Sequence, residues 1–398
     1  MPSIRHVAGI GPHAGKVCRA PELGTLSLRP ARAVATTTTH KRHAPGRGPG
    51  ARPGQRGRAR GLHYSMGLSS SKADHSAGVI PESSGQEVPS PAPSFTKINE
   101  SVFELHAEEK PNVEIVFFHG LQFTVEDLKD AYWRSFTYKS GVGCWPMALL
   151  PDSLAQLGYK ARVLTVCYDM SATKHHRKGR IDIYNLADQL VEALITNARS
   201  TAYIGQKGVP VILVGHSLGG ILIKQLIAHV DVEAREKLKQ PRHRMLQSFL
   251  GNLKGVFYMS TPHHGTQLAR WDKLFPEKSV KRAPVLGLLE VLSKDASRLN
   301  KVMALLIKKH DIRIAQVIET EKTDLVYFND IVVKESTVGM YAEASTPVPD
   351  NHITICRPES AQSATFQLLL SFIQNIMADQ NALTKKLEMF KSSFKIPQ

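Results

Sequence analysis

The first sustained apolar pattern in the chain begins near Asn99. Residues 113–118, 161–168, 209–214 and 254–260 form runs rich in β-branched and aromatic residues, with no regular polar alternation. Such runs predict strands buried on both faces. Residues 312–318 and 330–333 are weaker strand candidates. Residues 186–197 and 218–229 have helical length, and 366–377 carries Phe366, Leu369, Leu370, Ile373 and Met377 at helical spacing. Strands alternating with helices predict an α/β fold whose mostly parallel sheet is covered by helices on both faces. The stretch 266–311 is long for a connection and contains two apolar pieces, 285–292 and 302–307, which predicts a helical cap. Lys273, Lys278, Lys281 and Arg282 in that cap are candidates to face anionic head groups.

Composition changes this picture mainly at the N-terminus. The formal charge of +16 over 398 residues suggests a nucleic-acid binder, but residues 1–65 hold 12 Lys/Arg against the single acid Glu22. The other residues carry 39 Lys/Arg against 34 acids. The folded part therefore has only a small excess of basic residues to release counterions from nucleic acid, and no such partner is expected. Residues 1–65, with ten Gly and seven Pro, have too few large apolar residues to fold. Arg-rich and nearly acid-free, they fit an organelle transit peptide, a nucleic-acid-gripping arm or a leader without structure. At 66–72 the chain reads M-G-L-S-S-S-K, so a start at Met66 would expose Gly67 for myristoylation and give a cytosolic or membrane-anchored product. The expected division is a leader and linker over 1–95, one folded domain over 96–380 with its cap at 266–311, and a tail over 381–398. Cys18, Cys144, Cys167 and Cys356 show neither disulfide nor zinc spacing, and no run of 18 apolar residues is present.

The chemistry concentrates after the 209–214 run. There the chain reads G-H-S-L-G-G at 215–220 and continues into an apolar helix, which is G-x-S-x-G in a strand–turn–helix context. A turn that sharp lifts Ser217 out of the sheet as a nucleophile and leaves no room for Cβ atoms at Gly215 and Gly219. It also aims the Leu218 amide at the site of a developing oxyanion. The second donor is expected after the first central strand, F-F-H-G-L at 117–121, from the amide of Leu121. The base should follow the last strand, and His352 in P-V-P-D-N-H fits, whereas His310 in K-K-H-D looks like part of a solvated face. His216 is expected to pack under the turn, His263 and His264 to shape the pocket floor, and His175 and His176 to be solvated. Three residues compete for the acid: Glu319 in I-E-T, Asp330 in N-D-I-V-V and Glu335 in V-K-E-S. Asp350 reads as a turn cap. No metal or organic cofactor is required.

F-F-H-G-L, C-W-P at 144–146, G-H-S-L-G-G, T-P-H-H-G-T, L-S-K-D at 292–295, E-T at 319–320, V-V-K-E-S and N-H-I-T-I-C-R-P at 351–358 together resemble the lipase-like family of serine active site-containing protein 1, in a plant-like branch. The resemblance spans about residues 100–378. It implies an α/β-hydrolase fold, Ser217 and His352 in catalytic positions, and Glu319 as the acid. It further implies an ester or acyl-lipid substrate, phospholipid remodelling, and association with mitochondrial or endoplasmic reticulum membranes. Two departures stand out: H-G-L-Q-F replaces the Gly-rich loop of many relatives, and residues 1–95 have no evident counterpart. A reading from another class is a hydrolase-fold protein that binds membranes or partners with vestigial catalytic machinery.

Overall fold

The computed structural model describes residues 94–121, 126–169, 183–196, 203–235, 240–264, 282–325, 328–333, 342 and 344–393. Its frame is an eight-stranded sheet with strands β1 (Thr96–Lys97), β2 (Val102–Ala107), β3 (Val113–Phe118), β4 (Ala161–Val166), β5 (Val211–His216), β6 (Leu253–Met259), β7 (Arg313–Glu319) and, two strands later in the chain, β10 (Ala344–Val348). Their spatial order is β1-β2-β4-β3-β5-β6-β7-β10. Only the β1–β2 and β2–β4 pairings are antiparallel. β8 (Thr323–Leu325) and β9 (Phe328–Asp330) form a separate antiparallel pair.

Every residue of β3, β4 and β5 is buried, and the period-two geometry of a strand divides them between two cores. Val116, Phe118, Leu213, Val256 and Tyr258 join one cluster, with α4 (Ile183–Val191), α5 (Leu218–Arg235) and α6 (Pro241–Asn252). Ile115, Phe117, Val214, Phe257 and Met259 join the other, with α2 (Trp145–Ala148) and α3 (Leu150–Gln156). α1 (Glu126–Arg134) precedes these two helices. The long helices are α7 (Arg282–His310) and α8 (Ala364–Ser393). Continuous apolar strands are what burial on both sides demands, and each of the four strong runs supplies one strand of the sheet, with bounds differing by at most two residues.

Three elements depart from the pattern-based expectation. Residues 330–333 do not form a sheet strand, because Asp330 ends the small β8–β9 pair and the parallel sheet is completed by A-S-T-P-V at β10 instead. β10 is polar because it is an edge, and Pro347, which has no amide hydrogen to donate, is tolerated there. β2, V-F-E-L-H-A, is half exposed and too short for its alternation to stand out. The apolar pieces at 285–292 and 302–307 belong to one continuous helix, α7. Its Ala296, Leu299, Met303 and Leu306 are buried at helical spacing, and Leu299, Met303 and Leu306 sit in the same core as α5. The second half of the expected cap is thus part of the main body. Residues 265–281 lie outside the described residues, as do Gly67 and the whole leader.

The strand order, with one antiparallel strand near its edge and a strand–turn–helix at β5–α5, is that of the α/β-hydrolase fold. Helix α8 locks one face. Phe366 is fully buried with its ring edge-on to Trp145 at 5.9 Å, and a Cβ on Gly255 of β6 would lie 2.5 Å from Ile376. Beyond Met377 the helix continues to Ser393, through most of the expected tail, with Asp379 paired to Arg313 of β7 at 2.8 Å and with Leu383 and Leu387 exposed. Phe366→Ala should therefore cost about 3–5 kcal/mol in chemical denaturation. Leu387→Ala, on the same helix, should stay within about 0.5 kcal/mol.

Candidate active site

Ser217 occupies the turn between β5 and α5 with φ of +55°, a left-handed conformation that L-residues avoid. Its amide is tied to Met259 O of the adjacent strand at 2.9 Å. The glycines around it are required by close backbone approach. A Cβ on Gly219 would lie 2.4 Å from His119 O and 2.5 Å from Phe118 O. On Gly120 it would lie 2.7 Å from the Cβ of Ser217. The loop after β3 is thus pressed directly against the elbow, with Leu121 next in the chain. Leu218, as the first residue of α5, has an amide with no acceptor inside its own helix.

His352, after β10, and Glu319, at the end of β7, meet Ser217 at the same carboxyl edge of the parallel sheet. His352 Nε2 is 2.9 Å from Ser217 Oγ, and His352 Nδ1 is 2.7 Å from Glu319 Oε2. A carboxylate only accepts, so Nδ1 carries the proton and Nε2 is left to accept from the serine hydroxyl. Glu319 is the last residue of β7, and its second oxygen accepts the amides of Val332 at 2.7 Å and Val333 at 2.9 Å. Burial pushes its carboxyl up, but His352 and these hydrogen bonds outweigh burial, and the net shift is downward. The competing acids stand differently: Asp330 accepts the neighbouring Ile331 amide at 2.9 Å, and Glu335 lies outside the described residues. Asp350 accepts the Thr354 hydroxyl at 3.0 Å and ion-pairs with Lys139, as a turn cap would.

The loop that carries His352 is anchored from four directions. Its amide donates to Thr323 Oγ1 at 2.9 Å, and Asn351 Oδ1 accepts the amides of Ile353 and Thr354. Trp145 Nε1 donates to Cys356 O at 2.9 Å, which explains the C-W-P segment far upstream. His216 supplies the fourth anchor, its Nε2 donating to His352 O at 2.8 Å. That bond was not legible in the sequence, where His216 reads only as packing. Burial, reinforced by the nearby His352 ring, pushes His216 down to about 3, so it stays neutral and keeps its role as donor. His119, held down at about 4 by burial, stacks on Tyr168 at 4.0 Å, and the Tyr168 hydroxyl donates to His119 O.

The remaining histidines sort plainly. His310 is not part of a solvated face: it pairs at 3.1 Å with the buried Asp231, together with Lys309 and Arg235, at the far end of α5. His263 is buried behind the elbow against Lys224 and Gln316. His175 and His176 lie outside the described residues. Among the described residues, the trio close enough to share a metal is Asp188, His229 and Glu233, but Glu233 is already engaged by Arg242 and His229 is 12 residues along α5 from Ser217.

No protein-family model matches the chain. Protein SERAC1 from Mus musculus is 26% identical over 306 residues, covering 71% of this chain. Protein SERAC1 from Homo sapiens is 24% identical over 309 residues, again 71% of this chain. The chain is similar to the SERAC1 proteins. It spans less than half the length of these curated relatives, 42% of each. Among solved structures, Bacillus licheniformis lipase BlEst2 is 16% identical with a TM-score of 0.41, over 68% of this chain and 97% of that one. A structure reported among carboxylesterases of Nitrososphaera gargenis is 12% identical with a TM-score of 0.37, over 72% and 100%. The strand order itself carries the fold assignment.

The site's electrostatics give an acid-sensitive share of stability. A carboxyl lowered in the folded state stabilises it above the unfolded value of about 4.5, and the contribution is lost as pH falls through the folded value. Glu319→Gln removes that share. Its melting temperature should therefore drop less than that of the wild type between about pH 6 and pH 4. Parallel thermal unfolding of the two proteins at both pH values measures the difference.

Proposed function

We propose that the chain is a serine hydrolase of lipase or esterase type, with Ser217, His352 and Glu319 as its triad. The observation that carries the proposal is the continuous relay Ser217 Oγ–His352 Nε2 and His352 Nδ1–Glu319 Oε2, at 2.9 and 2.7 Å. In this reading Ser217 Oγ attacks the carbonyl carbon of an ester while His352 Nε2 takes its proton. Glu319 stabilises the resulting imidazolium, and the amides of Leu218 and Leu121 receive the oxyanion. Collapse of the tetrahedral intermediate breaks the bond to the leaving alkoxide, which His352 protonates. Water, activated by the same histidine, then attacks the acyl-enzyme and restores Ser217. No cofactor takes part in these steps.

The substrate class we propose is an ester-linked acyl lipid, in keeping with the family resemblance. Phospholipid remodelling at a mitochondrial or endoplasmic reticulum membrane is the biological setting that the resemblance favours. Among the described residues no helix is long and apolar enough to cross a membrane. Transit-peptide targeting by residues 1–65 and acylation at Gly67 remain alternative addresses for the same catalytic body.

Hydrolysis of a short p-nitrophenyl ester tests the assignment. Ser217→Ala should abolish turnover, with a loss on the order of 10⁶. Glu319→Gln should lose on the order of 10⁴ in kcat, and Asp330→Asn should keep near wild-type turnover. A damaging Asp330→Asn with a benign Glu319→Gln would reassign the acid, and activity surviving Ser217→Ala would remove the serine from the mechanism.

A further inference from the structure

Behind the elbow, on the face of α5 turned toward β6, lies a buried lysine that the proposed reaction does not use. Lys224 is 5% exposed. Its ammonium donates to His263 Nδ1 and to Asn300 Oδ1, each at 2.6 Å. Because His263 Nδ1 accepts, its ring proton sits on Nε2 and is donated to Gln316 Oε1 at 3.1 Å. Gln316 in turn donates to Ser345 Oγ at 3.1 Å, and Asn300 Nδ2 donates to His263 O at 2.7 Å. Every partner in this network is neutral. Among the described residues no carboxylate reaches Lys224, and burial alone pulls its amine down from 10.5 to about 7.

Counting donors shows what the network lacks. An ammonium has three hydrogens and only two are taken. The Tyr258 hydroxyl is buried and has no hydrogen-bond partner, and its ring lies 5.7 Å from Lys224 Nζ. Lys224, Tyr258, His263, Asn300 and Gln316 line a partly open cavity of about 20 Å³, together with Met303 and neighbouring aliphatic side chains. That volume holds one small particle. A residue with an unused ammonium hydrogen and one with an unpartnered hydroxyl therefore line the same small space. A water there would satisfy the donors but leave the charge buried and unpaired, which is costly. A small anion answers both needs.

We propose that this cavity is a binding site for a monovalent anion of halide size, held by the ammonium of Lys224 and the hydroxyl of Tyr258. The site joins three elements that hold Ser217 and Glu319 in place. Lys224 is on the helix that begins at the elbow, and His263 follows Ser260, whose hydroxyl accepts the Glu319 amide at 3.2 Å. Gln316 is three residues before Glu319 on β7. An anion that keeps Lys224 charged would fasten helix, loop and strand together from behind. It would stabilise the folded chain whether or not the serine is catalytic.

Thermal unfolding of the full chain at constant ionic strength, with sodium gluconate replaced stepwise by sodium chloride or bromide, tests this. The melting temperature should rise saturably, by about 3 °C at ten times the halide dissociation constant, and Lys224→Met should abolish the rise. Tyr258→Phe removes only the hydroxyl and should raise the half-saturating halide concentration several-fold while the protein stays folded. In crystals soaked in sodium bromide, an anomalous peak should lie between Lys224 Nζ and Tyr258 Oη. Equal melting temperatures in gluconate and halide would overturn the proposal, as would a halide response that survives Lys224→Met. Should Lys224→Met fail to fold, an unchanged half-saturation in Tyr258→Phe would overturn it alone.

Discussion

The left-handed backbone at Ser217 is the constraint around which the molecule is arranged. A φ of +55° on a residue with a side chain is unfavourable, and it persists only where the surroundings hold it. Here they do so by contact at van der Waals limits. The chain enters from a fully buried central strand and leaves into a helix whose second residue, Gly219, touches the carbonyls of Phe118 and His119. The Ser217 amide is spent on Met259 O and cannot relax elsewhere. Three neighbouring parallel strands, β3, β5 and β6, therefore fix one hydroxyl. The apolar character of those strands is what makes their positions rigid.

A second requirement follows, because a fixed serine is useful only if its partners are fixed to the same standard. His352 sits in a loop, and loops are intrinsically mobile. Besides Asn351 within the loop, its anchors come from three distant parts of the chain: Trp145 near α2, His216 at the elbow, and Thr323 at the start of β8. Glu319 is oriented in the same way by the Val332 and Val333 amides. The two histidines beside the serine, His216 and His119, are both held neutral by burial, so neither places a second positive charge against an imidazolium forming at His352.

Much of this arrangement was legible in the sequence, and the reasons differ from residue to residue. The central strands were legible because burial on both faces writes itself as an unbroken apolar run. The elbow was legible because its glycines are forced by sterics at fixed offsets from the serine. β10 was hidden by its place at an edge, where A-S-T-P-V need not be apolar, and residues 330–333 drew attention only because they are. The proximity of Glu319 to His352, against two other carboxylates, was left open by the residues and favoured by the family resemblance. The amides of Val332 and Val333 and the bond from His216 leave no signal at all, since a backbone donor has no letter and a histidine in a turn has many uses. Lys224 was equally silent: in an apolar helix a lone lysine reads as a surface residue.

The account rests on Ser217 being a nucleophile activated by its neighbours, and the most direct measurement is the intact mass of the folded full chain after exposure to a fluorophosphonate. The account predicts one phosphonyl adduct per chain, mapped by peptide sequencing to Ser217 and greatly slowed in His352→Ala. A folded protein that gains no adduct, or gains it at another residue, would contradict the account.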